Sequence, residues 1–80
     1  MEFGLMNNVQ KQVLKNISDA SKGDLERAVP RLQYEKNLGE IGLSELADII
    51  ESLDKAGYIR KAGTNKLGNV YLTELGRAYS

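Results

Sequence analysis

The sequence contains no cysteine and no histidine. It therefore lacks the thiol and imidazole groups that most often serve as zinc ligands, nucleophiles and general bases near neutral pH. The same composition excludes a disulfide framework. Acidic residues are frequent, but their spacing singles out no catalytic pair. We therefore expect a protein that is not an enzyme, with no catalytic residues, no metal and no cofactor.

Long hydrophobic runs are also missing. No apolar run approaches the roughly 18 residues that a membrane-spanning helix needs. The segment Met1 to Met6 lacks the basic and apolar regions of a signal peptide. We expect a cytoplasmic protein that does not engage membranes. The 80 residues are expected to form one domain, 1–80, with a small core and little room for a deep cleft.

The charges are balanced, with eleven basic and eleven acidic residues and a net charge of zero. DNA-binding domains are usually basic, so the balanced sum counts against a nucleic-acid partner. The distribution is uneven, however. Four acidic residues and no basic one lie between Glu45 and Asp54. Arg60, Lys61 and Lys66 then form a basic cluster without an acidic partner in the sequence around them.

The first half of the chain predicts two helical segments. Asn7 and Asn8 are candidate N-caps of a first helix that ends near Ala20. Its apolar residues recur at helical spacing; they are Val9, Val13, Leu14 and Ile17. The residues expected to face outward are Lys11, Gln12, Lys15 and Asn16.

A second segment is expected to start at an Asp24 cap, with apolar residues on one side and two arginines on the other. The apolar residues are Leu25, Val29 and Leu32, and the arginines are Arg27 and Arg31. Pro30 leaves two options open. Either the helix is kinked at this residue, or a new helix begins with Pro30 at its first position.

The region from Tyr34 to Gly42 is irregular, and residues 40–42 suit a short strand or an extended link. Ser44 then opens the most strongly amphipathic helix of the chain, and Gly57 stops it. Its apolar residues, Leu46, Ile49, Ile50 and Leu53, lie close together on a helical wheel. This helix is expected to pack against the core.

The second half of the chain predicts a hairpin. Tyr58 to Ala62 and Asn69 to Leu72 read as strands, and residues 63–68 between them are rich in turn-forming residues. Thr73 is the expected cap of a last short helix. Tyrosines in this region are expected to pack in the core more than to stack on bases.

The stretch Leu53 to Lys61, with its Gly57 stop, and the stretch Val70 to Arg77 together resemble the second half of a winged helix-turn-helix domain. Such domains occur in MarR-type and PadR-type transcription regulators. The resemblance implies an α+β fold, a small winged helix-turn-helix with a three-helix core, a C-terminal β-hairpin wing and a short closing helix. The residues expected to form its core are Val13, Leu14, Ile17, Leu25, Val29, Leu46, Ile49, Ile50, Leu53 and Ile59.

The resemblance also implies a function, the binding of duplex DNA in transcriptional regulation. In such a domain the helix 44–56 would lie in the major groove, and the wing would hold the phosphate backbone. The region near the second helix would cross the DNA backbone and contact it through its cations. The residues implied for these contacts are Ser44, Asp48 and Ser52 on the helix, Arg60, Lys61, Thr64, Asn65 and Lys66 on the wing, and Arg27 and Arg31.

The acidic helix favours two other interpretations. Where MarR-type regulators commonly place Thr, Ser and Arg, this helix carries Glu45, Ala47 and Asp48. Its carboxylates could solvate the helix, with Glu51 and Lys55 paired, while lysines keep the hairpin edge soluble. The helix could instead face a basic protein, which would make the domain a protein-interaction module without DNA binding.

Phe3, Leu5 and Met6 form an apolar cluster ahead of the first helix. They either pack on their own domain or pair with a second copy. The segment after the wing is too short for a coiled coil, so a homodimer would use the first helix, the N-terminal residues or the last short helix.

Overall fold

The computed structural model describes residues 7–80, which form four helices and one two-stranded antiparallel sheet. In chain order the elements are α1 (Asn8–Ser21), α2 (Arg31–Tyr34), α3 (Leu43–Lys55), β1 (Ile59–Lys61), β2 (Val70–Leu72) and α4 (Glu74–Tyr79). The chain is thus a small α+β protein, which confirms the predicted fold class at this level.

Helix α1 begins at a capping box. The side-chain oxygen of Asn7 accepts a hydrogen bond from the backbone N–H of Gln10 at 2.8 Å, and the Gln10 side chain accepts one from the N–H of Asn7 at 3.0 Å. This reciprocal pair satisfies two backbone donors that a helix start leaves free. The helix ends at Ser21, one residue beyond the predicted Ala20.

Asn16 does not face outward as predicted. It is buried, and its side-chain amide donates to the backbone oxygens of Tyr34 at 3.0 Å and Lys36 at 2.6 Å. Its own oxygen accepts a hydrogen bond from Gln12 at 2.9 Å. A buried amide is tolerated when its donors and acceptor are paired, so Asn16 fastens α1 to the end of α2.

The predicted helix from Asp24 is not formed. The Asp24 carboxylate accepts a hydrogen bond from the N–H of Glu26 at 2.9 Å, a local turn that competes with helix formation. Val29 then bridges to Val70 in antiparallel fashion through hydrogen bonds of 2.8 and 3.0 Å. Because the chain is extended at Val29 and becomes helical only at α2, the helical spacing of Leu25, Val29 and Leu32 does not apply, and Leu32 is 69% exposed instead of facing the core.

Pro30 starts a new helix and does not kink an existing one. Pro30 is the N-cap of α2, whereas the sequence suggested that it would be the first helical residue. Its fixed φ and missing N–H suit a helix start. The residues that follow α2 form turns at 35–37, and residues 40–42 contain no strand.

Helix α3 matches its prediction closely. It starts at Leu43, one residue before Ser44, and its four predicted apolar residues are all buried. At its end Gly57 adopts a left-handed conformation, with φ +87. The N–H of Tyr58 donates to the oxygen of Leu53 and the N–H of Gly57 to that of Asp54, both at 3.0 Å. These bonds satisfy carbonyls that the helix end leaves free.

The hairpin has the predicted position with shorter strands. Ile59 pairs with Leu72, Arg60 with Tyr71 and Lys61 with Val70. Val29 lies along the edge of β2 opposite β1, and there it is hydrogen-bonded to both the N–H and the carbonyl oxygen of Val70. The core residues buried beneath the hairpin and helices are Val13, Leu14, Ile17, Val29, Tyr34, Leu46, Ile49, Ile50, Leu53, Tyr58, Ile59, Val70 and Leu72. Leu25, also predicted for the core, is only partly buried.

Thr73 caps the start of helix α4, as predicted. The Thr73 hydroxyl oxygen accepts from the N–H of Gly76 at 3.1 Å and donates to the carbonyl of Gly57 at 2.5 Å. Gly76 is buried, and a Cβ at this position would collide with the carbonyl oxygen of Tyr58. The first turn of α4 therefore packs backbone to backbone against the start of the hairpin.

Within residues 7–80, no helix is both long and apolar enough to cross a membrane. Phe3, Leu5 and Met6, to which the sequence assigned a packing or dimer role, lie outside the described residues. The expected homodimer through the first helix and the N-terminal residues stays a prediction.

Replacing Gly76 with alanine should destabilise the fold by about 1 to 3 kcal/mol, the usual cost of overpacking a filled site. Helix propensity alone predicts the opposite sign, a gain of about 1 kcal/mol. The measurement is urea unfolding followed by circular dichroism. The control is Gly63→Ala, because nothing lies within 4 Å of a Cβ there. An unchanged or raised midpoint for Gly76→Ala would contradict the packing of α4.

Candidate nucleic-acid interface

The exposed side of α3 and the hairpin loop, residues 63–68, border one open cleft. The loop contributes Lys66 to this cleft, and α3 contributes Ala47, Asp48, Glu51 and Lys55. The two parts of the candidate interface are therefore presented on the same surface of the molecule. The cleft carries two carboxylates and two ammonium groups, so its charge is mixed.

The basic cluster has an acidic partner, contrary to the sequence expectation. The Lys61 ammonium donates to one carboxylate oxygen of Glu51 at 2.8 Å, and Lys55 lies 3.9 Å from the other oxygen. The predicted pairing of Glu51 with Lys55 is thus confirmed, while Lys61 is not a free cation. Its side chain, which extends from β1 to Glu51 on α3, is only 21% exposed.

The ion pair between Glu51 and Lys61 shifts the pKa of both groups. The hydrogen bond from Lys61, and then its positive charge, lower the pKa of Glu51. The hydrogen bond to Glu51 raises the pKa of Lys61, against the opposing effect of desolvation. A lowered acid pKa and a raised base pKa both favour the charged pair over a wide pH range.

Arg60 and the loop residues are exposed. The guanidinium of Arg60 lies 4.4 Å from the centre of the Tyr71 ring, a cation–π contact that fixes its direction while leaving its N–H groups available. Thr64, Asn65 and Lys66 are exposed on the loop. In the part of the chain that the structure describes, Arg60 and Lys66 form no ion pair.

The helix presents fewer of its predicted contact residues than expected. Ser44 and Asp48 are exposed on α3, together with Glu45. Ser52 is not on that face. Its hydroxyl accepts a hydrogen bond from the Gln10 side chain at 2.9 Å and donates to the oxygen of Ile49 at 2.8 Å. Ser52 therefore fastens α3 to α1 and is removed from the candidate interface.

Arg27 and Arg31 lie on either side of Val29, on the segment that bridges to β2. The Arg31 side chain is 3.5 Å from the carboxylate of Glu35, so part of its charge is already balanced. Arg27 is exposed and has no ion pair within residues 7–80. These two arginines do not line the cleft between α3 and the loop.

Tyr34 fixes the end of the hairpin loop, a role that the sequence did not reveal. Its hydroxyl donates to the backbone oxygen of Gly68 at 3.0 Å, and its side chain is completely buried. Burial raises the pKa of Tyr34 to about 12. A buried tyrosine hydroxyl usually finds a partner, but nothing in the sequence indicates that this partner is Gly68.

In residues 7–80, no three acidic side chains are arranged to hold a metal ion.

Comparison of the chain with protein-family models, with curated proteins and with solved structures finds no match. Function is therefore inferred from the geometry and charge of this surface.

Removing the Tyr34 hydroxyl should loosen the loop and lower the free energy of unfolding by about 1 to 3 kcal/mol, because the backbone oxygen of Gly68 loses its hydrogen-bond donor. We expect Tyr34→Phe to lower the urea midpoint and to accelerate amide exchange in residues 63–69. The matched control is Tyr79→Phe, since that ring is 57% exposed. Equal effects of the two changes would show that the Gly68 contact does not hold the loop.

The stability that Glu51 provides should depend on pH in a defined direction. Its folded pKa lies below the ordinary value of 4.5, so its contribution is present above that value and is lost as the pH falls through the folded pKa. For Lys61, whose pKa is raised, the contribution is lost as the pH rises through the folded pKa. The difference in thermal midpoint between wild type and Glu51→Gln should therefore be largest near neutral pH and vanish in acid. A difference that persists after Glu51 is protonated would contradict the ion pair.

Proposed function

We propose that this protein is a winged helix-turn-helix protein that binds duplex DNA in transcriptional regulation. In this proposal α3 approaches the major groove and the hairpin loop meets the phosphate backbone. The observation that carries it is the shared cleft between the exposed side of α3 and Lys66 of the loop. A helix and a basic loop on one surface can contact a groove and its flanking backbone together.

The order of elements supports the winged-helix assignment. Helices α2 and α3 follow one another, the hairpin comes next, and Val29 adds an isolated bridge beyond β2. A segment that precedes α2 thus joins the hairpin sheet. In such an arrangement α3 corresponds to the recognition helix and residues 63–68 to the wing.

The proposed contacts fall into two kinds. Arg60 and Lys66 would bind phosphates, with Thr64 and Asn65 as neutral donors, and these contacts add affinity but little sequence information. On the helix, Asp48 can accept a hydrogen bond from cytosine N4 in the major groove, and Ser44 lies beside it. Arg27 and Arg31 remain proposed backbone contacts outside the cleft.

The proposal includes that the protein is not an enzyme and uses no cofactor. It is supported by the absence of cysteine and histidine from the sequence. A cytoplasmic location is part of the same proposal.

Lys66→Ala should weaken binding to a random duplex and lower the slope of log affinity against log salt by about 0.9, the value for one lost phosphate contact. Fluorescence anisotropy over a salt series measures both quantities. The control is Lys15→Ala on α1, whose ammonium already lies 3.4 Å from Asp19. Wild-type protein that fails to bind at low salt would refute DNA binding. A Lys66→Ala slope equal to that of wild type would refute the role of the loop.

A protein-interaction module is the second candidate. It is favoured by Glu45 and Asp48, which are exposed and unpaired within residues 7–80, while Glu51 already balances a loop-side cation. An acidic ridge of this kind suits a basic partner. Binding to an arginine-rich peptide that Asp48→Asn weakens, together with no binding to duplex DNA, would favour this candidate.

A further inference from the structure

We propose that Glu51 sets the affinity of this protein for DNA by holding Lys61 out of contact with phosphate. This inference rests on the proposed function. It assigns different consequences to two carboxylates on the same helix, since Glu51 forms an ion pair with Lys61 and Glu45 forms none within residues 7–80.

The geometry of the pair carries the inference. Lys61 stands on β1, beside Arg60 and at the entry to the hairpin loop, where a winged-helix protein would present a cation to the backbone. Its ammonium is instead turned toward α3 and donates to Glu51 at 2.8 Å. The second Glu51 oxygen lies 3.9 Å from Lys55. Glu51 thus faces lysines from two elements at once.

The salt dependence of binding explains why this contact matters. A lysine increases affinity for DNA largely because the phosphate it neutralises releases a condensed counterion. To give its full charge to a phosphate, Lys61 must leave Glu51, and that exchange leaves an unpaired carboxylate close to the DNA. The attraction gained at the phosphate is then offset by the lost ion pair and by the repulsion of Glu51. In the wild-type protein Lys61 therefore adds no phosphate contact.

Glu45 provides a matched comparison on the same helix. It is exposed, and within residues 7–80 it forms no ion pair. Neutralising Glu45 removes one repulsive charge, an effect that salt screens, but it releases no lysine. Neutralising Glu51 removes the same charge and also frees Lys61. The two substitutions should differ in the number of phosphate contacts that the protein makes.

The test measures the affinity for a random duplex across a salt series for wild type, Glu51→Gln, Glu45→Gln, Lys61→Ala and the double variant Glu51→Gln with Lys61→Ala. Glu51→Gln should bind more tightly and steepen the slope of log affinity against log salt by about 0.9. Glu45→Gln, which frees no lysine, should steepen the slope by clearly less than this. Lys61→Ala alone should weaken binding only through the Glu51 charge that it leaves unpaired, and the double variant, which removes both charges, should return to the wild-type slope.

Circular dichroism shows whether each variant is folded. If Glu51→Gln does not fold, the double variant decides the question, because it removes both charges of the pair and a slope lower than wild type by about 0.9 would show that Lys61 already contacts phosphate. Wild-type binding with equal slopes for Glu51→Gln and Glu45→Gln overturns this inference alone. No binding by any variant at low salt overturns the proposed function and this inference with it. Binding by Glu51→Gln but not by wild type would overturn the proposed function, because the protein itself would not bind DNA.

Discussion

The position of the hairpin loop depends on the hydrogen bonds of Tyr34, a side chain that is completely buried. Its hydroxyl holds the carbonyl of Gly68, and its backbone oxygen receives the amide of Asn16. A one-turn helix such as α2 would not be stable alone, so its order comes from these contacts and from burial of the ring. Helix α1, helix α2 and the loop meet at one residue. The loop that contributes Lys66 to the shared cleft is therefore held at Gly68 by that junction.

Local signals were enough to predict the second half of the fold. The apolar spacing of α3, the glycine at its end and the Thr73 cap each act within a few residues, and all three are found in the structure. The segment after Asp24 could not be predicted in this way. Val29 is extended because β2 offers it an edge, and Asn16 is buried because backbone carbonyls of a later segment reach it. Both partners are distant in the sequence, so neither propensity nor periodicity reveals them.

The candidate site was predicted only in part for the same reason. Exposure of Lys66 and Asp48 follows from loop composition and helical spacing. The partner of Lys61 lies ten residues away on another element, and a helical wheel reports only neighbours within one helix. The helical wheel places Ser52 on the wrong face, because this residue lies where α3 meets α1, at the border of the buried side. Side-chain direction at such borders is set by how helices pack against one another.

The contacts of Thr73 have a consequence for the order in which the chain folds. The N–H of Thr73 donates to the oxygen of Tyr58 at 3.3 Å, its hydroxyl to that of Gly57, and Tyr58 donates back to Leu53. These bonds link the end of α3, the base of the hairpin and the start of α4 into one ring of contacts, whose partners lie at most 16 residues apart in the sequence. Short loops cost little entropy to close, so this ring can form before α1 and Val29 dock from further away. The C-terminal half would then serve as the template on which the N-terminal half is ordered, and its amides would open together as one cooperative unit.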